Sequence, residues 1–481
     1  MNKTIVLSIA LAAWAAAQAP QAPQGQQPSS FAGVVRLNKA PISNEVLQVK
    51  LPRPVEQKLS NGMRLLVVEN HKVPTINLQI TIPSGTLQDP EDMRGIAEGT
   101  AALIRLGTKT RNSKDLAEAM ADVGANISFG SGQDRGYVFV SSLTENFDAA
   151  LALLADILLN PTFPQDELDK WKTRQKSSLQ QAKTQPGFLA SERMLKVLYP
   201  SDARQYILPT VASIDQITRE KVMEHYKAYY VPSGEVSGIA GDITPKEAVA
   251  KMEKALAAWK GGPVKHPSLP MAGPLPEKKV MLISRPNSVQ TFLLVVNRAI
   301  DRMSPDYIEC QVMNRVLGSG PSSRLFRNLR EEKGYTYGIG SGFSASKVLN
   351  FFVANTSVRT EVTEPALAEL LKEFQTIRDV PVPAMELADA KSAIVAGFVL
   401  GLENPSGVLS RWLEQREYGL PEDYWDQYTV KVQAVTAAGV QRVARKYVPL
   451  DNAQIIAVGD ASKIAELLKK FGPVEQTNPD N

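Results

Sequence analysis

The chain has 481 residues, too many for a single core and enough for two or more domains. It is 43% hydrophobic and 22% charged, the balance of an ordinary soluble globular protein. A formal net charge of +4 over this length offers no basic field for nucleic acid or a membrane surface.

Residues 1–19 read as a secretory signal peptide. Lys3 supplies the positive start, Ile5 to Ala17 is apolar and Ala-rich, and Ala15-Ala16-Ala17 offers a small-x-small cleavage site. The competing reading is a membrane anchor, but the apolar run is short beside the roughly 20 residues a span needs. An exported, soluble protein of the periplasm or cell envelope is expected. Pro20 to Ser30 (PQAPQGQQPSS) reads as a tether within a flexible or extended segment, 20–50. Cys310 is the only cysteine, so no internal disulfide forms and stability must come from core size.

From residue 51 the pattern is mixed. Met63 to Val68 and Ile76 to Ile82 alternate or run apolar as strands, with Asn61-Gly62 as a turn before them. Ser113 is placed to cap a helix that Gly124 stops. Tyr137 to Leu143 returns to a strand, and Phe147 to Leu159 is helical until Pro161 and Pro164. A long helical region runs from Asp166 to about Leu198, interrupted near Pro186-Gly187, and Arg219 to Tyr229 is amphipathic.

The chain is built twice. YYVPSGEVSGIAGD (Tyr229 to Asp242) returns as KYVPLDNAQIIAVGD (Lys446 to Asp460). PQDELDKWK from Pro164 returns as PAMELADAK from Pro383. Both pairs lie roughly 220 residues apart, a period that means two copies of one domain and not a solenoid. Gly261 to Lys279 is rich in Pro and Gly and reads as the linker between halves 51–260 and 280–475. The expected fold class is α+β, each half an antiparallel sheet covered on one face by helices.

Histidine arithmetic bears on metal chemistry. The three histidines are His71, His225 and His266, and none has another within a helical turn. A conventional His/Cys zinc site within this chain is therefore not expected.

Gly95 to Thr108 reads GIAEGTAALIRLGT. The frame resembles the G-[IL]-A-H-x-x-E-H-x-x-x-x-G-T segment of the pitrilysin/insulinase family, the inverted zinc peptidases. In that family two histidines one turn apart bind zinc and the glutamate activates water. Here those positions hold Glu98, Ala102 and Ala101, and an alanine methyl has no lone pair. The third ligand of the family falls, by the resemblance, at Gln181 within RQKSSLQQA, where an acidic residue seven earlier becomes Arg174. A lone Glu98 is expected to be a solvated helix-surface carboxylate, and no metal is assigned to this chain.

A second signature of the family is intact. Leu317 to Ala345 reads LGSGPSSRLFRNLREEKGYTYGIGSGFSA. Ser322 or Ser323 can cap a helix with Leu325, Phe326 and Leu329 as its buried stripe, Gly334 ends it, and Tyr335, Tyr337 and Ile339 alternate on a strand. On spacing alone, Arg330 can simply complement a helix dipole and Tyr337 can pack. The resemblance implies that Arg330 and Tyr337 contact the substrate backbone and the developing oxyanion, a task suited to directional donors. Gly124 to Tyr137 resembles the family's edge strand, where an extended peptide adds as an extra strand flanked by Asn126 and Phe129. An ordinary solvent-facing edge strand reads the same way.

The resemblance spans about Lys58 to Phe471 and is nearest to the bacterial subfamily related to mitochondrial processing peptidase. It implies a clamshell, an unfolded peptide substrate, and a homologous partner chain carrying H-x-x-E-H and the zinc. On this reading the chain is a zinc-free subunit of a heterodimeric metalloendopeptidase. The rivals are a non-catalytic binding or assembly protein of the cell envelope and an autonomous metallopeptidase with unusual ligands.

Overall fold

A computed structural model describes residues 48–200, 202–232, 235–264, 266, 269 and 277–478. The expected signal segment 1–19, the tether after it and much of the linker lie outside the described residues. Residues from Val46 onward form one compact unit.

Two six-stranded sheets carry it. The first holds β1 (Val55–Lys58), β2 (Arg64–Glu69), β3 (Thr75–Ile82), β4 (Asn126–Ser131), β5 (Gly136–Leu143) and β6 (Val236–Gly241), in the order β1-β2-β6-β3-β5-β4. The second holds β7 (Lys279–Ser284), β8 (Gln290–Arg298), β9 (Thr336–Ala345), β10 (Asn350–Arg359), β11 (Gln454–Gly459) and β12 (Val474–Thr477), in the order β12-β7-β11-β8-β10-β9. The orders correspond strand for strand except at one end. There β1 runs antiparallel to β2, whereas β12 runs parallel to β7. The sheets are mixed and not wholly antiparallel as expected, because β2 pairs parallel with β6 and β7 with β11. Three other strands and several helices lie between the members of each parallel pair, a connection long enough for parallel pairing.

The helices follow from local chemistry. Helix Ser113–Asp122 is capped by Asn112, one residue before the expected Ser113, and its side-chain oxygen accepts from the Lys114 and Asp115 amides. Helix Gln165–Lys183 stops and Pro186–Leu198 restarts with Pro at its first turn, where the missing N–H costs nothing. Phe147–Leu159 and Arg219–Tyr229 are helical over the expected residues.

Helices cover one face of each sheet as expected, and a helix from the opposite half covers part of the other. β3 shows single-sided burial, with Ile76, Leu78, Ile80 and Ile82 buried in alternation. By contrast β11 is buried at all six positions. Its Ile455 and Ala457 join the core beneath its own helices. Its Ile456 and Val458 pack with Leu189, Leu195 and Leu198 of the first-half helix Pro186–Leu198. The exchange is reciprocal. Leu409, Trp412 and Leu413 of helix Pro405–Tyr418 join one cluster with Leu66, Val68 and Ala240 of the first sheet. At Gly238 on β6 a Cβ would stand 2.4 Å from a Leu409 methyl, so glycine lets that helix lie close.

Polar contacts pin the same seam. The Trp412 indole donates to Pro52 O at 2.9 Å, and Arg416 pairs with Glu56 at 3.0 Å. Buried Arg135 lies between Asp134 at 3.0 Å, Glu417 at 3.3 Å and Glu235 at 3.8 Å. That triad fixes the β4–β5 turn against the end of helix Pro405–Tyr418.

Candidate functional site

The degenerate zinc frame is helix Ile96–Leu103. Asp89 holds its start, accepting from Gly95 N at 2.7 Å and Ala97 N at 3.1 Å. Burial pushes the Asp89 carboxyl up to about 7 against those two donors. The helix lies on Gln165–Lys183 with no space between. A Cβ at Gly99 would sit 2.8 Å from the Trp171 ring.

Glu98 projects to solvent, and its carboxylate accepts from the Gln175 carboxamide at 2.9 Å. Ala101 is 2% exposed and lies in the packed interior, and Ala102 packs half-buried against the first-half core. The residue facing Glu98 is therefore Gln175 and not Gln181. Six residues further on, Gln181 points about 240° around the helix axis. Arg174 is a neighbour of Gln175 on the same polar surface. Zinc needs three lone-pair ligands, and two of these four positions are methyl groups, so the residues present do not fit the metal. Among the described residues no three His, Cys, Asp or Glu converge on a point.

The histidines are spoken for elsewhere. His71 bridges Glu69 at 2.7 Å and Asp242 at 2.5 Å. His266 contacts Gln88 and Glu235. His225 is buried, shares a hydrogen bond of 2.8 Å with Ser84 Oγ, and is held neutral by burial, its pKa lowered to about 4.

The second signature forms an exposed pair. A short helix, Arg324–Phe326, runs into a π-helical turn, Arg327–Glu332. Lys333 N reaches Asn328 O at 3.0 Å and Tyr335 N reaches Leu329 O at 2.9 Å. Ser323 stands at the N-cap position, but its hydroxyl donates back to Gly320 O at 2.7 Å. Gly334 follows with φ +61. Two anchors hold the segment. Arg324 makes a bidentate pair with Glu386 at 2.9 and 2.7 Å, and the Asn328 amide donates to Glu369 and Glu373 at 3.0 and 2.7 Å.

Arg330 is left outside this net. Its guanidinium lies 4.7 Å from the Phe326 ring centre and 4.9 Å from that of Tyr337, a stacked cation between two rings. Tyr337 is 88% exposed. Between the pairs Thr356–Ile339 and Val358–Thr336, β9 carries one residue more than β10, so Tyr337 itself sits in a bulge, and bulges re-aim a side chain. Thr336 Oγ1 locks the bulge by donating to Ser357 O at 2.8 Å. Among the described residues neither Arg330 nor the Tyr337 hydroxyl has an ion pair or hydrogen bond. π-Turns cluster at functional positions, and the sequence carried no signal for this one.

β4 is an edge strand, paired only with β5. Asn126 and Phe129 leave it on opposite faces. Phe129 packs against the core on the side of helix Ile96–Leu103. Asn126 lines a cavity of about 230 Å³ on the other face, with Ser128, Phe139, Ser406 and Ser410. Only Phe129 therefore adjoins the degenerate frame.

Two family models match the chain. Insulinase (Peptidase family M16) matches residues 64–205, and Peptidase M16 inactive domain matches residues 216–394. An uncharacterized zinc protease of Bacillus subtilis is 22% identical over 355 residues, 73% of this chain and 85% of that one. Another, of Mycobacterium leprae, is 22% identical over 399 residues, 81% of this chain and 89% of its own. Among solved structures, a peptidase M16 inactive domain from Pseudomonas fluorescens is similar at TM-score 0.77 and 26% identity, covering 85% of this chain and 98% of that one. A protease from Helicobacter pylori shares the fold at TM-score 0.76 and 16% identity, covering 85% and 100%.

Proposed function

Because the chain belongs to the insulinase family, peptidase family M16, and lacks that family's zinc residues, we propose that it is the zinc-free subunit of a two-chain metalloendopeptidase. One observation carries the reading. The ligand frame is closed by alanine and by the Glu98–Gln175 hydrogen bond, while Arg330 and Tyr337 stand unpaired and solvent-facing on an anchored turn. A stacked guanidinium beside a free phenol offers directional donors to a carbonyl oxygen gaining charge. The homologous partner would supply zinc and the general base to unfolded peptide. Export and cleavage after Ala17 belong to the same proposal, and N-terminal sequencing of the mature protein checks them.

The test is reconstitution. The chain is mixed with a family member bearing H-x-x-E-H from the same organism, and hydrolysis of an unstructured peptide is measured. Activity that neither chain shows alone supports the reading. A rate equal to that of the zinc-bearing chain alone, with a complex demonstrably formed, removes it. That outcome would leave the non-catalytic peptide-binding reading, for which the free β4 edge speaks. Stoichiometric zinc on the isolated chain would instead favour an autonomous peptidase.

A further inference from the structure

The first sheet has a second face, which helix Pro405–Tyr418 covers only in part. The helix lies over β2 and β6, with Leu409 against Gly238. Beyond it the face of β3, β5 and β4 opens into the cavity of about 230 Å³ that Asn126 lines.

Strand register lays this face out in rows. Asn126 stands beside Ser141, and Ser141 beside Asn77. In the next row Ser128 stands beside Phe139, and Phe139 beside Gln79. Neighbours in a row are about 5 Å apart and the rows about 7 Å. Ser406 and Ser410 line the cavity from the helix side.

Its polar groups are unspent. Among the described residues the carboxamides of Asn77, Gln79 and Asn126 have no hydrogen-bond partner, and neither do the hydroxyls of Ser128 and Ser141. Asn77 and Gln79 are nevertheless half-buried. Each carboxamide offers two donors and an acceptor. Between them Phe139 is 47% exposed, and Tyr137, on the same face of β5, stacks on it at 6.0 Å. None of the residues lining the cavity carries a charge.

We propose that this cavity binds one ring of a neutral saccharide, its C–H face on Phe139 and its hydroxyls on the surrounding carboxamides. The lining selects the class. An anion or a cation finds nothing to pair with. A peptide backbone finds no free main chain on this face, because β3 and β5 each pair on both sides within the sheet. A flat base would be gripped between two rings, and Phe139 is the single aromatic ring in the lining. A sugar hydroxyl both donates and accepts, which matches the two ends of a carboxamide. The site uses neither Arg330, Tyr337 nor a zinc-bearing chain, so its failure leaves the proposed function standing.

The test uses the whole mature chain and three neutral trisaccharides, cellotriose, maltotriose and chitotriose, titrated by saturation-transfer-difference NMR. The same titration is run with a blocked neutral tripeptide, acetyl-Ala-Ser-Ala-amide. At least one saccharide should give a saturable signal with a Kd of about 1 mM, the range open to a single neutral ring. Its signal should be strongest at the C–H protons of one terminal ring. Phe139→Ala and Asn126→Ala both alter exposed side chains, and each is checked by thermal melting so that one serves if the other fails to fold. Either folded variant should weaken binding at least about tenfold. Saturable binding by none of the three saccharides, unchanged affinity in a folded variant, or tighter binding of the tripeptide that displaces the saccharide overturns the proposal.

Discussion

The Glu98 carboxylate accepts a hydrogen bond from the Gln175 carboxamide at 2.9 Å, across the two helices that carry zinc ligands elsewhere in the family. The frame has thus become an ordinary helix contact. Glu98→His with Ala101→Glu and Ala102→His should not produce stoichiometric zinc binding. Ala101 is 2% exposed, so Glu there is forced into the interior and should cost about 3 kcal/mol or more. A melting curve and metal analysis of the triple variant check both statements. Adding Gln175→Glu supplies the facing carboxylate and is the step to test next. A stable, zinc-loaded triple variant would show that the frame is still open.

His225 gives the fold an acid limit. Burial lowers its pKa from 6.5 to about 4. The unfolded chain therefore takes up a proton below 6.5 that the folded chain refuses. Stability from this group is complete above pH 6.5 and declines as the pH falls toward 4, by at most about 3 kcal/mol. His225→Gln, which can keep a bond to Ser84 and cannot titrate, should flatten the pH dependence of the urea midpoint between 6.5 and 4. An unchanged slope would place the proton elsewhere.

Part of this was legible in the sequence, and the limits are physical. β3 alternates because only one of its faces meets a core, and period-two burial is what alternation encodes. The apolar runs of β2, β7 and β11 mark two-sided burial, but an amphipathic helix does not state whose sheet it will cover. The exchange of Pro186–Leu198 and Pro405–Tyr418 is therefore invisible locally. The seven-residue spacing from Arg330 to Tyr337 was readable, whereas the π-turn joining them follows from tertiary anchors such as Arg324–Glu386. A polar helix rich in glutamine offers no periodicity to fix its register, so the sequence does not show that Gln175 is the residue that meets Glu98.

The exchanged helices make the halves interdependent. Trp412 is 1% exposed and packs under the first sheet from a second-half helix, so Trp412→Ala should cost roughly 3–5 kcal/mol. The second half expressed alone, residues 280–475, should be unable to fold as an independent domain. Without helix Pro186–Leu198 it exposes Met281, Ile283, Leu294, Val296, Ile456 and Val458 together. Strong binding of a hydrophobic dye and loss of near-ultraviolet dichroism are the expected signs. A monomeric fragment with a sharp cooperative melt would show that the seam contributes little.

The Arg330–Tyr337 pair separates scaffold from function. Tyr337 is 88% exposed and its hydroxyl has no bond to lose among the described residues, so Tyr337→Phe should leave the melting temperature within experimental scatter. In the reconstituted complex the same variant should lower turnover about one hundred-fold, the size expected for removing one oxyanion donor. The loss should fall on kcat more than on KM, because the contact strengthens only as charge develops. Arg330→Lys keeps the charge but loses the planar face stacked 4.7 Å from Phe326 and 4.9 Å from Tyr337. It too should impair turnover with little change in stability. If these residues are scaffold the pattern inverts, with a shifted melt and wild-type rates. Wild-type turnover by both variants in an assembled complex would sink the shared active site.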